Sequence, residues 1–245
     1  MLDETTYYFT AFAIDQNNNI IVSETSSITT DFWWHVTPNT LFYFEFEQNL
    51  NDLSWNGNNP IASRSVWYES VGWQYVIRNT ATNPYIRLNP SVWNNISDFT
   101  IAFWIYPVKP SNWYYPMLFG SYNNSDPYAW PTIFYNDNNN NRIIARMSRN
   151  NEHYPFSLIP WQWQHIAFTR INWQCKVYLK WELKETFTDN TSWNAQTFYI
   201  FSRMDANQFF NQTGAKWDKY IYEKVWWTDN EVARYVNKTK SIYGL

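Results

Sequence analysis

Two loop segments combine aromatic rings with polar side chains in a way that suits a carbohydrate. Residues 113–115 read WYY, and residues 122–130 read YNNSDPYAW. Aromatic faces offer apolar area to a sugar, and Asn or Asp side chains hydrogen-bond its hydroxyl groups. We therefore predict a loop-borne glycan site with these members: Trp113, Tyr115, Asn123, Asp126 and Tyr128. The alternative interpretation is ordinary packing of aromatic loops.

A second polar loop could hold a cation. Residues 52–58 read DLSWNGN, so a carboxylate (Asp52) and two amides (Asn56 and Asn58) fall within one short turn. Carboxylate, amide and carbonyl oxygens are the hard ligands that Ca²⁺ prefers. The sequence predicts a structural calcium site at these three residues. The alternative is an Asx-rich turn without metal.

The residues that could carry catalysis are sparse. Glu45 and Glu47 form the only close carboxylate pair on one strand face; they alternate with phenylalanines and are interpreted as a solvated face. His165 lies in a core-like strand, and no Ser-His-Asp order or His-x-x-x-His spacing occurs. The one cysteine, Cys175, excludes an internal disulfide and a cysteine-based zinc cage. We predict that the chain is not an enzyme.

Composition excludes further classes of partner. Charged residues make up 16% of the 245 positions, the formal net charge is −3, and the Lys and Arg residues do not cluster. Nucleic-acid binding requires a basic surface, so we expect no nucleic-acid partner. The chain has no apolar run of the length that spans a bilayer, and its first residues do not form a signal peptide. We expect no membrane insertion.

These candidate residues are carried by a β-rich chain. Apolar and polar residues alternate with period two over many short segments, separated by Asn, Pro, Ser and Asp. One helix is predicted at the C-terminus, where Thr228 and Glu231 form a capping box ahead of the apolar residues Val232, Tyr235 and Val236. The pattern predicts an all-β, two-sheet antiparallel sandwich with one short C-terminal helix.

The first 31 residues form a separate segment. Residues 2–15 and 20–30 resemble the last two strands of a fibronectin type III domain, including the Leu and Tyr of a tyrosine corner. We predict a fibronectin-like remnant at 1–31, a linker at 32–40 and the main domain at 41–245; a simple N-terminal hairpin packed on the main domain is the alternative. Because two strands alone are marginally stable, we expect Met1 not to be the natural start and a larger protein to extend upstream.

Residues from about 40 to 245 resemble laminin-G-like, concanavalin A-like jelly rolls. Five segments carry the resemblance in the family's order: LNDLSWNGN (50–58), DFTIAFWIYP (98–107), WQHIAFTR (163–170), VYLKWEL (177–183) and DKYIYEK (218–224). The resemblance implies a jelly-roll fold and a non-catalytic module that binds a glycan or another surface ligand. The host would be a larger extracellular, cell-surface or virion-surface protein. The alternative is a structural spacer of a surface or phage-fibre protein. A glycoside hydrolase ranks third, because the E-x-D-x-x-E strand pattern of the jelly-roll glucanases is absent.

Tryptophan departs systematically from that family. The chain has 17 Trp and 5 Gly, whereas Gly averages about 7% of residues. Gly occurs in or near the family's turns where this chain has four tryptophans: Trp55, Trp73, Trp173 and Trp181. Six others are assigned to the same group: Trp67, Trp113, Trp130, Trp161, Trp193 and Trp217. Two fall where the family itself has Trp: Trp104 and Trp163.

These two groups suggest a hypothesis about decoding. Some uncultured bacteria and their phages read UGA as Gly, and a gene translated with another table would place Trp at glycine positions. The hypothesis predicts that Trp55, Trp173 and Trp181 lie at exposed turns, some with positive φ. Trp104 and Trp163 should lie in the core.

Overall fold

The computed structural model divides into two compact units, Met1–Thr37 and Pro38–Leu245. It describes residues 5–9, 12–14, 20–22, 26–30, 36–64, 66–79, 84–89, 96–108, 117–122, 132–136, 141–148, 151–189, 197–203, 208–209 and 215–245. In the first unit, β1 (Thr5–Phe9) pairs with β4 (Ser26–Thr30), and β2 (Phe12–Ile14) pairs with β3 (Ile20–Val22); both pairs are antiparallel. The fibronectin-like interpretation of this segment stays a prediction.

The second unit is built mainly from strands. Its described strands are β5 (Thr40–Phe44), β6 (Ala62–Arg64), β7 (Val66–Val71), β8 (Gln74–Asn79), β9 (Tyr85–Leu88), β10 (Phe99–Tyr106), β11 (Met117–Tyr122), β12 (Thr132–Asn136), β13 (Arg142–Ser148), β14 (Asn151–His153), β15 (Gln164–Ile171), β16 (Gln174–Leu179), β17 (Glu182–Thr188), β18 (Thr197–Ile200), β19 (Ser202–Arg203), β20 (Gln208–Phe209) and β21 (Lys216–Glu223). Helix α1 (Asp229–Thr239) and a 3₁₀ helix (Lys240–Tyr243) follow.

Two antiparallel sheets share one core. The eight-stranded sheet has the order β17-β16-β15-β10-β21-β8-β7, with β5 also paired to β21; the seven-stranded sheet has the order β14-β13-β12-β11-β18-β9-β6. Strands β19 and β20 form a separate two-stranded pair. The core contains residues of both sheets, such as Phe103 and Tyr220 from one and Phe198 and Ile200 from the other. The all-β sandwich with a C-terminal helix is confirmed.

Alternation determines which side chains enter the core. In β10, Phe103 and its alternate neighbours join the core cluster, while Trp104 lies on the opposite face. The rings of Phe103 and Tyr220 stack with centroids 5.1 Å apart and planes 5° apart. Both faces of β10 are buried, because the C-terminal segment packs over the outer face. The strand therefore reads as an almost continuous apolar run.

Helix α1 begins as the sequence predicts. The Thr228 side chain accepts a hydrogen bond from the Glu231 backbone N–H, and the Glu231 carboxylate accepts one from the Thr228 N–H. Further along, Trp104 Nε1 donates to Thr239 Oγ1 at 2.9 Å, and the Tyr235 hydroxyl donates to the Lys219 carbonyl at 2.9 Å. These bonds fix the helix on the outer face of the eight-stranded sheet. In the described part of the chain, no helix is long and apolar enough to cross a membrane.

Tight turns hold several of the exposed tryptophans. A two-residue hairpin joins β15 to β16, and its residues Asn172 and Trp173 have φ of 47° and 67°. Trp161 also has a positive φ, 66°, and is 61% exposed. Trp55 and Trp181 are exposed residues in turns. The prediction for Trp55, Trp173 and Trp181 is therefore confirmed: all three are exposed in turns, and Trp173 has a positive φ. A left-handed backbone is normally adopted by Gly, Asn or Asp.

The buried tryptophans form the other group. Trp104 and Trp163 are buried, as predicted. Trp217 was assigned to the turn group, and this assignment is wrong: it is 1% exposed within β21, and its ring lies 4.1 Å from that of Phe201. Trp67 is exposed but lies inside β7 rather than in a turn. Trp113, Trp130 and Trp193 lie outside the described residues.

Replacing Trp173 or Trp161 by Gly should raise the free energy of unfolding by about 1 kcal/mol. A left-handed conformation costs an L-residue roughly 1–2 kcal/mol. At Trp173, losing the contact with the Arg170 guanidinium (4.6 Å from the ring centroid) offsets about 0.5–1 kcal/mol. Urea unfolding would measure the change.

The matched control is Trp104→Gly. It should lower stability by more than about 3 kcal/mol, because it opens a cavity in a buried site. A clear loss of stability in both turn variants would contradict the role given to these turns.

Candidate functional site

The residues predicted to bind a glycan flank one central strand. Trp113, Tyr115, Asn123, Asp126 and Tyr128 lie outside the described residues. The described strand β11 separates them, with 109–116 before its first residue and 123–131 after its last. This strand is the middle one of the seven-stranded sheet. The two loop groups therefore join opposite ends of the same strand, and the site they form stays a prediction.

The outer face of this sheet carries a second set of suitable residues beside β11. Ile86, Leu88, Phe198 and Ile200 belong to the core, so the residues that alternate with them lie on the opposite face. We call that set the outer-face cluster; it comprises Tyr85, Arg87, Gly120 and Tyr199.

The strand register brings the outer-face cluster together. Arg87 is opposite Tyr199, and Tyr199 is opposite Gly120 of β11. The rings of Tyr85 and Tyr199 meet edge to face, with centroids 6.1 Å apart. Tyr199 is buried, Tyr85 and Arg87 are partly exposed, and Gly120 adds no side chain beside Tyr199. The partly exposed Tyr85 ring and the Arg87 guanidinium are groups that can hold a sugar ring.

Sequence reasoning missed the outer-face cluster. Strand β9 reads YIRL, an ordinary alternating segment, and nothing in it distinguishes Arg87 from a solvated surface residue. Only the pairing of β9 with β18 and of β18 with β11 reveals the neighbourhood.

The loop predicted to bind calcium is closed by its own hydrogen bonds. Oδ1 of Asp52 accepts from the backbone N–H groups of Tyr43 and Ser54, both at 2.8 Å. Its Oδ2 accepts from the Ser54 hydroxyl and the Asn58 N–H, both at 2.6 Å. Four protein donors therefore surround the carboxylate that the cation would need.

The two amides of the loop also serve the fold. Asn56 Nδ2 donates to the Thr40 carbonyl, and Asn58 Nδ2 donates to the Leu41 carbonyl, both at 2.6 Å. No group of three or more His, Cys, Asp or Glu residues that could hold a metal occurs in the described ranges. This donor set does not fit a calcium cage, and it favours the Asx-rich turn; calcium binding by Asp52, Asn56 and Asn58 stays a prediction.

The interpretation of Glu45 as part of a solvated face is wrong. Its side chain is 11% exposed and forms a 2.8 Å ion pair with Lys219 Nζ and a 2.7 Å hydrogen bond from the Tyr43 hydroxyl. Glu45 follows directly after β5, and a carboxylate that is so little exposed needs a charged partner. Glu47 accepts a hydrogen bond from the Tyr75 backbone N–H at 3.1 Å.

His165 is a core residue in its electrostatics as well as its position. Burial lowers its pKa to about 3, and only the contact of Nδ1 with the Lys180 carbonyl at 3.3 Å opposes the shift. The imidazole is therefore neutral at ordinary pH. It lies against the rings of Trp104 and Tyr235, each about 5.3 Å away.

Asp218 connects three elements beneath the C-terminal segment. Its carboxylate accepts hydrogen bonds from Gln74 Nε2 at 2.6 Å, the Tyr243 hydroxyl at 2.7 Å and the Lys219 backbone N–H at 2.7 Å. Burial raises its pKa to about 7, although nearby Lys219 and the hydrogen bond from Tyr243 act in the opposite direction. This carboxylate links β8, β21 and the 3₁₀ helix.

Replacing Asp52 by Ala should destabilise the chain by about 2–4 kcal/mol, because it leaves several backbone N–H groups without an acceptor. Thermal unfolding of the unmodified chain should be the same in millimolar Ca²⁺ and in EDTA. A rise in Tm with Ca²⁺ that is absent from Asp52→Asn would instead establish the calcium site.

Replacing Asp218 by Asn should change how stability depends on pH. The folded state holds this proton more tightly than the unfolded state (pKa about 7 against 3.8), so the unmodified chain loses stability as pH rises from about 4 to 7. Asn cannot ionise, so urea unfolding at pH 8 should show the variant about 1–3 kcal/mol more stable relative to the parent than at pH 4.5. The same difference at both pH values would contradict the assignment. His165 titrates in both proteins and cancels in the comparison.

Solved structures similar to this chain include the binding domains of two toxins and one domain of an arabinanase. The binding domain of Paraclostridial mosquitocidal protein 1 aligns with a TM-score of 0.65 and 21% identity, covering 84% of this chain and 55% of that one. Domain 4 of AbnA, a GH43 extracellular arabinanase from Geobacillus stearothermophilus, in complex with arabinotriose, gives 0.66 and 16%, covering 80% and 97%. The binding domain of botulinum neurotoxin DC in complex with SialylT gives 0.62 and 14%, covering 82% and 52%.

These similarities establish the fold. The chain spans about half the length of the toxin binding domains that it matches. No curated protein matches it. The family described as the concanavalin A-like lectin/glucanases superfamily, of laminin G type, matches residues 79–226. That match covers more than half of the chain, so together with the two-sheet sandwich it shows that the chain belongs to the concanavalin A-like lectin/glucanase superfamily.

Proposed function

We propose that the chain is a non-catalytic module that binds a glycan, within a larger extracellular or surface-exposed protein of a bacterium or phage. The observation that carries the proposal is the centre of the seven-stranded sheet. There, β11 is flanked in sequence by both aromatic–Asx loops and contributes Gly120 to the outer-face cluster.

The chemistry of the outer-face cluster supports a sugar ligand. The partly exposed Tyr85 supplies aromatic area and is supported edge to face by the buried Tyr199, and the Arg87 guanidinium supplies several N–H donors for hydroxyl or carboxylate oxygens. Two structural neighbours were solved with carbohydrate-type ligands, arabinotriose and SialylT, and these support the ligand class for this chain.

The non-catalytic part of the proposal rests on the polar groups within the fold. The Glu45 carboxylate is paired with Lys219, the neutral His165 is buried, and Asp218 accepts three hydrogen bonds. Each of these groups makes contacts that stabilise the fold. The similarity to two toxin binding domains supports the same conclusion.

A spacer role in a surface or phage-fibre protein is the second candidate. The observation that favours it is the division of the chain into two compact units. A glycoside hydrolase ranks third.

The tryptophans in turns affect which residues belong to the binding site. We propose that UGA is read as Gly in the natural host, and the positive φ of Trp161 and Trp173 supports this proposal. Under this reading Trp113 is Gly, and Tyr115, Asn123, Asp126 and Tyr128 remain as the loop site.

A glycan array with the unmodified chain and with a version carrying Gly at 55, 161, 173 and 181 tests the function. We expect both to bind at least one glycan class. Tyr85→Ala and Tyr115→Ala should each raise the dissociation constant of the best ligand about 10- to 30-fold, as expected for loss of an aromatic anchor. Trp73→Gly removes an 81%-exposed ring from the β7–β8 hairpin and serves as the control. The absence of binding by both versions would contradict the glycan function and favour the spacer.

A further inference from the structure

A second aromatic and charged surface lies on the outer face of the eight-stranded sheet. Strand pairing places Trp67 opposite Arg78, Arg78 opposite Lys216, and Lys216 opposite Tyr106. With Glu69, which follows Trp67 on the same face of β7, these residues form what we call the outer strip. We propose that the outer strip is a glycan-binding surface separate from the outer-face cluster; the proposal rests on the glycan-binding function proposed above.

The outer strip is accessible to solvent, whereas neighbouring residues on the same face of the sheet are covered. Val76, Trp104 and Asp218, two positions along their strands from the strip, are buried beneath the C-terminal segment. In contrast, Trp67 is 67% exposed, and the Arg78 side chain is 43% exposed. Tyr106 is half-buried, supported by the ring of Trp163 at 5.6 Å.

Ion pairs hold the polar groups of the strip in place before any ligand arrives. The Glu69 carboxylate contacts Arg78 Nη1 at 2.9 Å and Lys216 Nζ at 2.6 Å. Lys216 Nζ also lies 5.2 Å from the centroid of the Tyr106 ring. Burial raises the pKa of Glu69, but the hydrogen bonds and charges of Lys216 and Arg78 outweigh it and lower the pKa overall. A fixed set of donors and acceptors reduces the entropy lost on binding.

The dimensions of the strip suit a short oligosaccharide. Neighbouring strands lie about 4.8 Å apart, so three spacings separate Trp67 from Tyr106 by about 14 Å. An aromatic ring lies at each end, and the guanidinium, the ammonium and the carboxylate lie between them. Sugar rings can stack on the aromatic faces while their hydroxyl groups bond to the charged groups.

Other occupants fit the outer strip less well. A stable protein partner buries about 800 Å² on each side, far more than one row of four side chains offers. A nucleic acid needs a basic surface, whereas Glu69 neutralises one of the two cations and the whole chain carries a net charge of −3.

Tyr106, Arg78 and Lys216 belong to the outer strip whichever way UGA is read. Trp67 lies in a strand and is not among the residues with positive φ, so its backbone does not require Gly. If position 67 is Gly in the natural protein, the strip keeps one aromatic end and its three charged groups.

The test is calorimetric titration of the best glycan from the array into the unmodified chain and four variants. Tyr106→Leu keeps apolar packing but removes the ring, and Lys216→Gln removes the charge while keeping a donor. Tyr85→Ala reports on the outer-face cluster. Tyr154→Ala, which removes an exposed tyrosine just after β14, is the matched control. Thermal unfolding checks that each variant is folded.

We expect Tyr106→Leu and Lys216→Gln each to weaken binding 10-fold or more, or to remove one of two binding events, while Tyr154→Ala has no effect. Arg78→Gln provides a second variant if Tyr106→Leu fails to fold. Unchanged binding in the strip variants, with loss in Tyr85→Ala, would overturn the outer strip and leave the proposed function standing. No binding by the unmodified chain would overturn both.

Discussion

The register of the eight-stranded sheet depends on turns that the backbone can make only in a left-handed conformation. The loop between β15 and β16 has two residues, so Ile171 is opposite Gln174, and the rest of the pairing follows. A shift of one residue would exchange the two faces of a strand. The core residues Ile166 and Phe168 would then face outward, and His165, which is buried against Trp104 and Tyr235 on the outer face, would turn toward the core between the sheets. The positive φ values of Asn172 and Trp173 are therefore a condition of the sandwich itself.

The central strands and the helix could be predicted from the sequence, because local patterns determine them. Strand β10 is an almost continuous apolar run because both of its faces are buried, and the capping residues Thr228 and Glu231 begin the helix. The edge strands β7 and β17 lack such a local pattern. Both have many exposed positions, so they lack the apolar alternation that marks a strand with a buried face.

The environment of the polar residues could not be predicted, because it depends on contacts between distant segments. Glu45 pairs with Lys219, and Asp218 accepts hydrogen bonds from Gln74 and Tyr243. The two proposed binding surfaces also depend on contacts between distant segments. Residues of the outer-face cluster and of the outer strip become neighbours only through strand order, and each is an ordinary surface residue when read along the chain. The loops predicted to bind a glycan were recognisable because their composition is local.

The tryptophans divide into core residues, which pack the fold, and turn residues. This division also decides which residues can bind a ligand, because a turn Trp that is Gly in the natural protein cannot contribute a ring to a binding site. Peptide mass spectrometry of the protein isolated from its natural host tests this division most directly. Gly is predicted at positions 161 and 173, where the backbone is left-handed, and Trp at 104 and 163, which are buried. Trp at 161 and 173 in the natural protein would contradict it.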